Sequence, residues 1–418
     1  MAEFDTILKK WTNPEDNYIH GASFVAYDRT GKCIYSGAQG NRTIDRSSGI
    51  PTKVDDLCYL ASQSKIISSV AVLQIVEKGL IGLDDDCRKI VPQLADKEIL
   101  VGFEGDESAT GKEFNVAKNV LTFKNPRKPL LKKSTKPITL RLLLSHSSGF
   151  AYHFMSEALS EYLAYIEEPV GMHNSIEKYN TPLIFEPGTS WAYSPGIDWA
   201  GRVLEIVTGQ TLDEYMQANI CQRVGMKNTT FFPDSRLDRL PPQMELAFKP
   251  EGPKGKLVKG HETMFTTRPN TDCLGGGGIY STCEDFGFFL RALVSGGEPL
   301  LQRETLDKLF TGTVSNRKDL TYMAQEKFRW VMAADLQPDT EVDHGLGGLV
   351  SLTPVPGRRA AGSAKWGGLS NPLWWVDMKT GIGGAIFTQI FPAGDPVVND
   401  CFVELETEVY KRIGKASL

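Results

Sequence analysis

The stretch "CYLASQSKII", residues 58–67, opens an apolar run that continues to Val76. Lys65 is the one charged side chain between Tyr59 and Val76, and it follows Ser62 by three residues. On a helix, residues i and i+3 lie on one face, so the lysine nitrogen can reach the serine hydroxyl. The pattern favours a nucleophilic serine with a lysine as its proton acceptor, at the start of a core helix. A surface-reaching lysine beside a serine that caps the helix is the alternative.

Serine and lysine occur at this spacing in two further places, Ser175–Lys178 and Ser315–Lys318. Both lie in polar surroundings, "HNSIEKYN" and "TVSNRKDL", where we expect the lysine to be solvated. At Lys65, burial would favour the neutral amine, which can accept a proton. The helix N-terminus would favour the negative charge that develops as Ser62 attacks a carbonyl group. The first copy is therefore the candidate site.

Two later segments contain candidate partners for Ser62. In "WAYSPGIDWAG", residues 191–201, Tyr193 lies in a loop before a helix, where its hydroxyl could accept or relay a proton beside a cation. A packed aromatic residue is the alternative there. In "SAKWGGLSNPLWWVD", residues 363–377, two glycines beside a strand fit a close approach of backbone to ligand, with a simple bulge as the alternative. A backbone N–H there could form an oxyanion hole together with the N–H of Ser62.

Strand patterns occur at both ends of the chain and helical patterns between them. The segment "ASFVAYDRTGKCIYSGAQG", residues 22–40, predicts a β-hairpin. The segment "LWWVDMKTGIGGAIFTQI", residues 373–390, predicts two strands joined at "MKTG". Helical periodicity dominates from about 138 to 295, and residues 397–413 have the pattern of an amphipathic helix. We therefore predict an α/β fold, with an antiparallel sheet built from both chain ends, flanking helices and a mostly helical insertion.

The order of these patterns divides the chain into two predicted domains. Residues 1–60 and 275–418 would form the α/β domain with the antiparallel sheet. Residues 61–274 would form a mainly helical domain that contains the Ser-x-x-Lys and tyrosine motifs. The stretch from about 95 to 136 lacks periodicity, and we predict a long loop there that is either functional or mobile.

Composition and charge exclude several classes of function. The chain has 418 residues, of which 41% are hydrophobic and 23% charged, as in ordinary globular proteins. A net charge of −5 provides no basic footprint for nucleic acid, and no apolar run approaches the ~18 residues of a membrane span. The seven cysteines are scattered without a C-x-x-C pair, and the sequence contains neither a P-loop nor a G-x-G-x-x-G turn. We expect a cytoplasmic protein without metal or cofactor.

Three segments, Ser62–Lys65, Tyr193–Ser194 and Lys365–Gly368, follow the order and approximate spacing of the motifs of serine β-lactamase-like enzymes. The chain resembles the class C and family VIII esterase branch of that superfamily, which uses a tyrosine in the second motif. Within this branch it is most similar to the fungal acyltransferases of polyketide pathways. The resemblance extends over nearly the whole chain. It implies a β-lactamase/transpeptidase-like fold, in agreement with the strand–helix–strand order.

The resemblance also implies a role for each motif residue. Ser62 would be the acylated nucleophile and Lys65 its proton acceptor. Tyr193 would be the base or relay that activates the incoming alcohol. The backbone N–H groups of Ser62 and Leu369 would form the oxyanion hole.

Two positions depart from the β-lactamase pattern. Pro195 stands where β-lactamases usually have an asparagine that binds the substrate amide. Trp366, Gly367 and Gly368 stand where Lys-Thr-Gly would. Lys365 lies one residue earlier, and because side chains alternate along a strand it should point away from the site. These departures argue against β-lactam hydrolysis.

We expect a two-step acyl transfer, in which Ser62 takes an acyl group from a thioester or ester and an alcohol of a polyketide-like or other natural product receives it. A carboxylesterase that uses water as the acceptor is the first alternative, and a non-catalytic penicillin-binding-like sensor is the second. The expected partners are a small-molecule acyl donor and an alcohol acceptor, with an acyl carrier protein of a polyketide synthase as a further candidate. The residues predicted to bind substrate in an apolar pocket are Tyr152, Phe154, Trp366, Gly367, Gly368, Trp374 and Trp375.

Overall fold

The computed structural model describes residues 2–115, 120–169, 174–252, 255–260 and 269–416. The strands in these ranges are β1 (Gly21–Asp28), β2 (Cys33–Gly40), β3 (Leu57–Tyr59), β4 (Glu98–Phe103), β5 (Lys112–Asn115), β6 (Val120–Phe123), β7 (Pro129–Lys133), β8 (Ala247–Phe248), β9 (Val258–Lys259), β10 (Tyr280–Thr282), β11 (Val342–His344), β12 (Leu349–Ser351), β13 (Ala364–Gly367), β14 (Leu373–Asp377), β15 (Ile382–Phe387) and β16 (Ile390–Phe391).

The α-helices of the same ranges are α1 (Ala2–Trp11), α2 (Ser64–Glu77), α3 (Leu140–Leu144), α4 (Glu157–Tyr165), α5 (Gly196–Thr208), α6 (Leu212–Met216), α7 (Gln222–Val224), α8 (Cys283–Val294), α9 (Arg303–Leu309), α10 (Lys318–Tyr322), α11 (Arg329–Met332) and α12 (Pro396–Ala416).

The main sheet has seven strands in the order β11-β12-β13-β14-β15-β1-β2. All six pairings in it are antiparallel. The hairpin of residues 21–40 therefore joins the meander of residues 342–387. The two parts are connected by the pairing of β1 with β15, in which Ser23 lies opposite Phe387. The predicted antiparallel sheet from both chain ends is confirmed.

Apolar side chains cover both faces of this sheet. Along β1, Val25 and Tyr27 belong to the large core on the side of the helical region, whereas Phe24 and Ala26 belong to a second core beneath α1 and α12. This alternation follows from the two-residue period of a strand. Because the sheet is buried on both faces, β1 is an almost uninterrupted buried run.

Helix α2 is the central helix of the molecule. Twelve of its residues, from Ser64 to Ile75, are buried, and the helix packs against α5, α6 and α9. A helix that is apolar on all sides is buried on all sides, which explains the uniform run after Ser62. The large core contains side chains from both predicted domains, including Val25 and Ile67. The division into two domains therefore stays a prediction.

The predicted loop of residues 95–136 contains strands instead. β4 pairs with β7, and β5 pairs with β6. Their side chains are mostly exposed, so the ribbons lack the apolar alternation by which strands are recognised in a sequence. Several lysines of this segment are matched by acidic partners, as in Lys124–Glu113 at 2.6 Å and Lys128–Glu104 at 2.8 Å.

Candidate active site

Ser62 lies in a 3₁₀ turn, Ala61–Gln63, immediately before α2. Ala61 has a φ of +47°, in the left-handed region that alanine rarely adopts. Such conformations persist only where the surrounding structure enforces them, and they cluster at active sites. The turn places Ser62 at the N-terminal end of a buried helix, where backbone N–H groups favour a developing negative charge.

Lys65 contacts the serine, as its spacing predicts. Its Nζ lies 3.4 Å from Ser62 Oγ, 2.6 Å from the carbonyl oxygen of Gly276 and 3.3 Å from the hydroxyl oxygen of Tyr152. The lysine is only 2% exposed. The other two copies of the spacing differ, because Lys178 and Lys318 lie at the protein surface. The prediction that those two lysines are solvated is confirmed.

Tyr193 approaches Ser62 from the loop before α5. Its hydroxyl oxygen lies 2.5 Å from Ser62 Oγ, and Lys65 Nζ lies 4.7 Å from the centroid of its ring. The ring also contacts that of Trp366, with centroids 5.4 Å apart. The serine, the lysine and the tyrosine thus meet at one point. Tyr193 reaches it although it is 131 residues from Ser62 in the sequence.

Two buried histidines lie behind this tyrosine. The His146 ring is 5.0 Å from the rings of both Tyr193 and His344, and its Nδ1 lies 2.9 Å from Ser194 Oγ. Burial lowers the pKa of His344 to about 4, and it holds the pKa of His146 well below its usual value. Both rings are therefore neutral at neutral pH and add no positive charge next to Tyr193.

The third motif lies on β13, the strand in the middle of the meander. Trp366 points towards Tyr193 and is 7% exposed. At Gly368, a Cβ would lie 2.2 Å from the carbonyl oxygen of Leu60. The motif therefore packs directly on the backbone that leads into Ser62, and only glycine permits this approach. Leu369 follows at the turn, and its role as the second oxyanion donor stays a prediction.

Lys365 points away from the site, as strand alternation predicts. It forms an ion pair with Asp335 and is 3% exposed. Asp335 also pairs with Arg359, and Arg358 pairs with Glu406 of α12 at 2.8 Å. This buried charge cluster lies on the opposite face of the sheet from Ser62. The prediction that Lys365 does not face the site is confirmed.

Two of the predicted pocket residues are core residues instead. Trp374 and Trp375 are both 0% exposed. Trp375 lies opposite Lys365 in the sheet register, and it packs on Phe402 of α12, away from Ser62. Trp374 lies opposite Trp366 on the near face, but it is enclosed in the large core. The prediction that both tryptophans line the pocket is corrected, since neighbouring residues of one strand point to opposite faces.

Tyr152 and Phe154 lie at the mouth of the site. Their rings stack with centroids 5.1 Å apart and an interplanar angle of 10°. Phe154 is 44% exposed, which makes it an apolar surface available to a ligand, whereas Tyr152 is 8% exposed and reaches Lys65 with its hydroxyl. Gly367 and Gly368 are part-buried at the same opening.

Two groups at the site have no signal in the sequence. The carbonyl oxygen of Gly276 accepts a hydrogen bond from Lys65, and the carboxylate of Asp198 accepts one from the Gly276 N–H at 2.9 Å. Asp198 is 2% exposed and lies five residues after Tyr193. A lone aspartate in a helical pattern is an ordinary surface residue, so only the folded structure identifies it.

The described residues contain neither a metal-binding cluster nor a membrane-spanning helix. Within them, no group of three or more histidine, cysteine, aspartate or glutamate side chains is arranged to hold a metal ion. Among the helices of those same ranges, none is long and apolar enough to cross a membrane. All seven cysteines are free thiols.

Comparisons with known proteins identify the family of the chain. A family model described as Beta-lactamase matches residues 12–405. The lovastatin esterase of Penicillium rubens is 34% identical over 94% of this chain and 95% of its own length. The monacolin J acid methylbutanoyltransferase of Aspergillus terreus is 29% identical over 94% of this chain and 92% of its own length.

The structural comparison gives the same result. Unliganded simvastatin synthase from Aspergillus terreus superimposes with a TM-score of 0.85 at 28% identity, covering 98% of each chain. The sequence match and the structural match both span nearly the entire length of the chain. The chain therefore belongs to the beta-lactamase family.

Proposed function

We propose that this protein is a serine acyltransferase, or transesterase. It moves an acyl group from a thioester or ester donor, through an acyl-Ser62 intermediate, to an alcohol of a polyketide-like or other natural product. The observation that carries the proposal is that Ser62 Oγ lies within 2.5 Å of the Tyr193 hydroxyl and 3.4 Å of Lys65 Nζ. A nucleophile with two proton-transfer groups can be acylated and then released to a second alcohol.

In the first step Ser62 Oγ attacks the carbonyl carbon of the donor, and its proton moves to the Lys65 amine. The carbonyl oxygen becomes an oxyanion, which the N–H groups of Ser62 and Leu369 stabilise in our proposal. The tetrahedral intermediate collapses, the bond to the thiol or alcohol breaks, and the leaving group takes the proton. The product is an ester on Ser62.

In the second step an acceptor alcohol attacks the acyl-Ser62 carbonyl. Tyr193 takes the proton of the alcohol and passes it to Ser62 Oγ as the new ester departs. Ser62 and Tyr193 thereby return to their starting protonation states. If water replaces the alcohol, the same residues hydrolyse the ester, which is the first alternative function.

The surroundings of the serine support an ester-type substrate over a β-lactam. Pro195 has no side-chain donor for a substrate amide, and the ammonium of Lys365 is on the far side of the sheet with Asp335. No cation of the third motif therefore reaches the site to bind a substrate carboxylate. Trp366 and the exposed ring of Phe154 provide apolar surface in its place.

The relatives support transfer as the main function and hydrolysis as its rival. They include a monacolin J acid methylbutanoyltransferase and a lovastatin esterase. Proteins named for both reactions are thus similar to this chain over nearly its whole length. The second alternative, a non-catalytic sensor, has less support, because the serine and both proton-transfer groups are in contact.

We extend the proposal to the donor's carrier. A small thioester and the thioester of an acyl carrier protein present the same reacting carbonyl to Ser62, so a carrier protein of a polyketide synthase is a candidate partner. Two lysines of the exposed ribbon, Lys112 and Lys124, offer an acidic carrier little free charge, since both are paired with glutamates. Comparing acylation rates with the carrier-bound and the free thioester tests this extension.

The central experiment is a mass measurement of the Ser62 peptide. The protein is incubated with short- and medium-chain thioesters and esters, and we expect an acyl adduct on the peptide that contains Ser62. Ser62→Ala should abolish the adduct. Ser69→Ala is the matched control, because Ser69 lies on α2 with its hydroxyl buried and without a hydrogen-bond partner in the described ranges.

Adding candidate alcohols then separates the two enzymatic functions. A transferase forms the new ester faster than it releases the free acid, whereas an esterase releases acid at the same rate with or without the alcohol. Absence of an adduct with every donor, or an adduct that persists in Ser62→Ala, would contradict the catalytic assignment.

A further inference from the structure

Asp198 is a buried carboxylate that the proposed chemistry does not use. It lies in the first turn of α5 and is 2% exposed. Its Oδ1 accepts the N–H of Gly276 at 2.9 Å, and its Oδ2 lies 3.3 Å from the hydroxyl oxygen of Tyr152. That hydroxyl oxygen lies 3.3 Å from Lys65 Nζ. A carboxylate, a phenol and an amine therefore form a chain that ends at the nucleophile.

The backbone at Gly276 is fitted closely to this carboxylate. A Cβ at Gly276 would lie 2.4 Å from Asp198 Oδ2 and 3.0 Å from the Tyr152 hydroxyl oxygen. The same residue binds Asp198 with its N–H and Lys65 with its carbonyl oxygen. The loop thus fixes the distance between the carboxylate and the amine.

The direction of each hydrogen bond in the chain can be assigned. Burial and the charge of Asp198 raise the pKa of Tyr152 well above its usual value, so the phenol keeps its proton. Burial raises the pKa of Asp198, while the hydrogen bonds from the Gly276 N–H and the Tyr152 hydroxyl oppose this and favour the carboxylate. A carboxylate can only accept, so Tyr152 donates its proton to Asp198.

These directions leave one orientation for a neutral Lys65 amine. Besides its Cε, the nitrogen has three tetrahedral positions, and they face Gly276 O, Tyr152 Oη and Ser62 Oγ. The carbonyl oxygen of Gly276 can only accept, so it takes one N–H. Tyr152 has committed its proton to Asp198, so its oxygen takes the other N–H. The lone pair is left facing Ser62.

We propose that Asp198 is a positioning residue that acts through Tyr152 to aim the lone pair of the Lys65 amine at Ser62 Oγ. The inference rests on the proposed function in that Ser62 is the nucleophile, but it does not depend on which acyl group or acceptor is used. Tyr152, which the sequence suggests as a pocket wall, is the second positioning residue.

The decisive variant is Asp198→Asn, which keeps the shape of the side chain. Its Oδ1 can still accept the Gly276 N–H. Its NH₂ group takes the place of Oδ2 and donates to Tyr152, which turns the phenol proton towards Lys65. That proton competes with Ser62 for the lone pair, so activation of the serine should fall.

The readout is the rate at which a small alkyl fluorophosphonate labels Ser62, measured by mass spectrometry. In this reaction the bond from Ser62 Oγ to phosphorus forms, the P–F bond breaks, fluoride leaves and the serine proton moves to Lys65. We expect Asp198→Asn to lower the limiting labelling rate ~10–100-fold, with the half-saturating probe concentration changed by less than about twofold. A labelling rate equal to that of the unaltered protein would overturn the inference.

A double-variant cycle tests whether Asp198 acts through Tyr152. In the Tyr152→Phe background the added change Asp198→Asn should cost less than about threefold, because the phenol that it would reorient is gone. An undiminished cost in that background would overturn the proposed route.

Asp285→Asn is the matched control for stability. Asp285 is also 2% exposed, but its carboxylate accepts from Asn228 N and Thr229 Oγ1. We expect it to lower the melting temperature while leaving the labelling rate unchanged. An equal loss of labelling in this control would mean that Asp198→Asn acts by destabilising the fold, and it would overturn the inference. Failure of acyl transfer in the unaltered protein, with fluorophosphonate labelling intact, would refute the proposed function and leave this inference standing.

Discussion

Substitution of Gly368 by alanine should separate the third motif from the nucleophile. The added Cβ would lie 2.2 Å from the carbonyl oxygen of Leu60 and 2.8 Å from Cγ of Pro372. Real Cβ atoms essentially never come closer than 3.0 Å to such atoms. The β13 end and the backbone before Ser62 must therefore move apart by ~0.8 Å or more, because neither neighbour is a flexible side-chain tip.

The displacement acts on the proposed oxyanion hole. One N–H belongs to Ser62, two residues after Leu60, and the other to Leu369, directly after Gly368. A misplacement of about 1 Å between such donors can cost ~100-fold in rate, which corresponds to ~2.7 kcal/mol of transition-state stabilisation. We expect Gly368→Ala to slow acylation of Ser62 by that factor, at a cost in unfolding free energy of ~1–3 kcal/mol.

The assay is single-turnover acylation, followed by the mass of the Ser62 peptide over time. Gly277→Ala is the matched control, since its Cβ would lie 3.9 Å from the Tyr59 hydroxyl oxygen and 4.0 Å from the carbonyl carbon of Ala61. It adds the same methyl group near the nucleophile with room to spare. Acylation of Gly368→Ala at the unaltered rate would refute the reasoning, as would an equal loss in Gly277→Ala.

Three further predictions concern the rest of the molecule. Lys365→Met should lower the unfolding free energy in urea by ~1–3 kcal/mol, since Asp335 loses a buried partner. The acylation rate of Ser62 should stay within about threefold of the unaltered rate. A larger loss would place Lys365 in the site. Burial lowers the pKa of His20 to about 4, so the unfolded chain binds a proton first as the pH falls. Stability should therefore drop by ~2 kcal/mol between about pH 7.5 and about pH 5 on account of His20, and His20→Gln should remove that part of the slope. Phe154→Ala should raise the half-saturating concentration of medium-chain donors more than of short-chain donors, without changing the urea midpoint; an equal effect on both donors would exclude contact with the acyl chain.

Local periodicity accounts for what the sequence predicts correctly. The contact of Ser62 with Lys65 follows from the helical rule for i and i+3, and the outward direction of Lys365 follows from the two-residue period of a strand. The same period also shows why Trp374 and Trp375 could not both line one pocket. As adjacent residues of β14 they point to opposite faces, and both are enclosed.

Long-range contacts account for what the sequence could not predict. Lys65 and Tyr152 are 87 residues apart, and Asp198 lies 46 residues after Tyr152 and 78 before Gly276. No period connects positions at such separations, so their meeting depends on how the helices pack. The strands of residues 98–133 could not be predicted for another reason. Their exposed, ion-paired side chains do not alternate between apolar and polar.

The way the sheet closes has a consequence for the newly made chain. β1 pairs with β15, and Leu369 follows Ser62 by about 300 residues. While the ribosome is still translating the middle of the message, β15 and Leu369 have therefore not yet been synthesised. A nascent or truncated chain can contain the serine, its lysine and its tyrosine, yet it lacks the third motif and the proposed second oxyanion donor. We therefore expect Ser62 to become reactive only after the strands of the third motif have been synthesised and have joined the sheet.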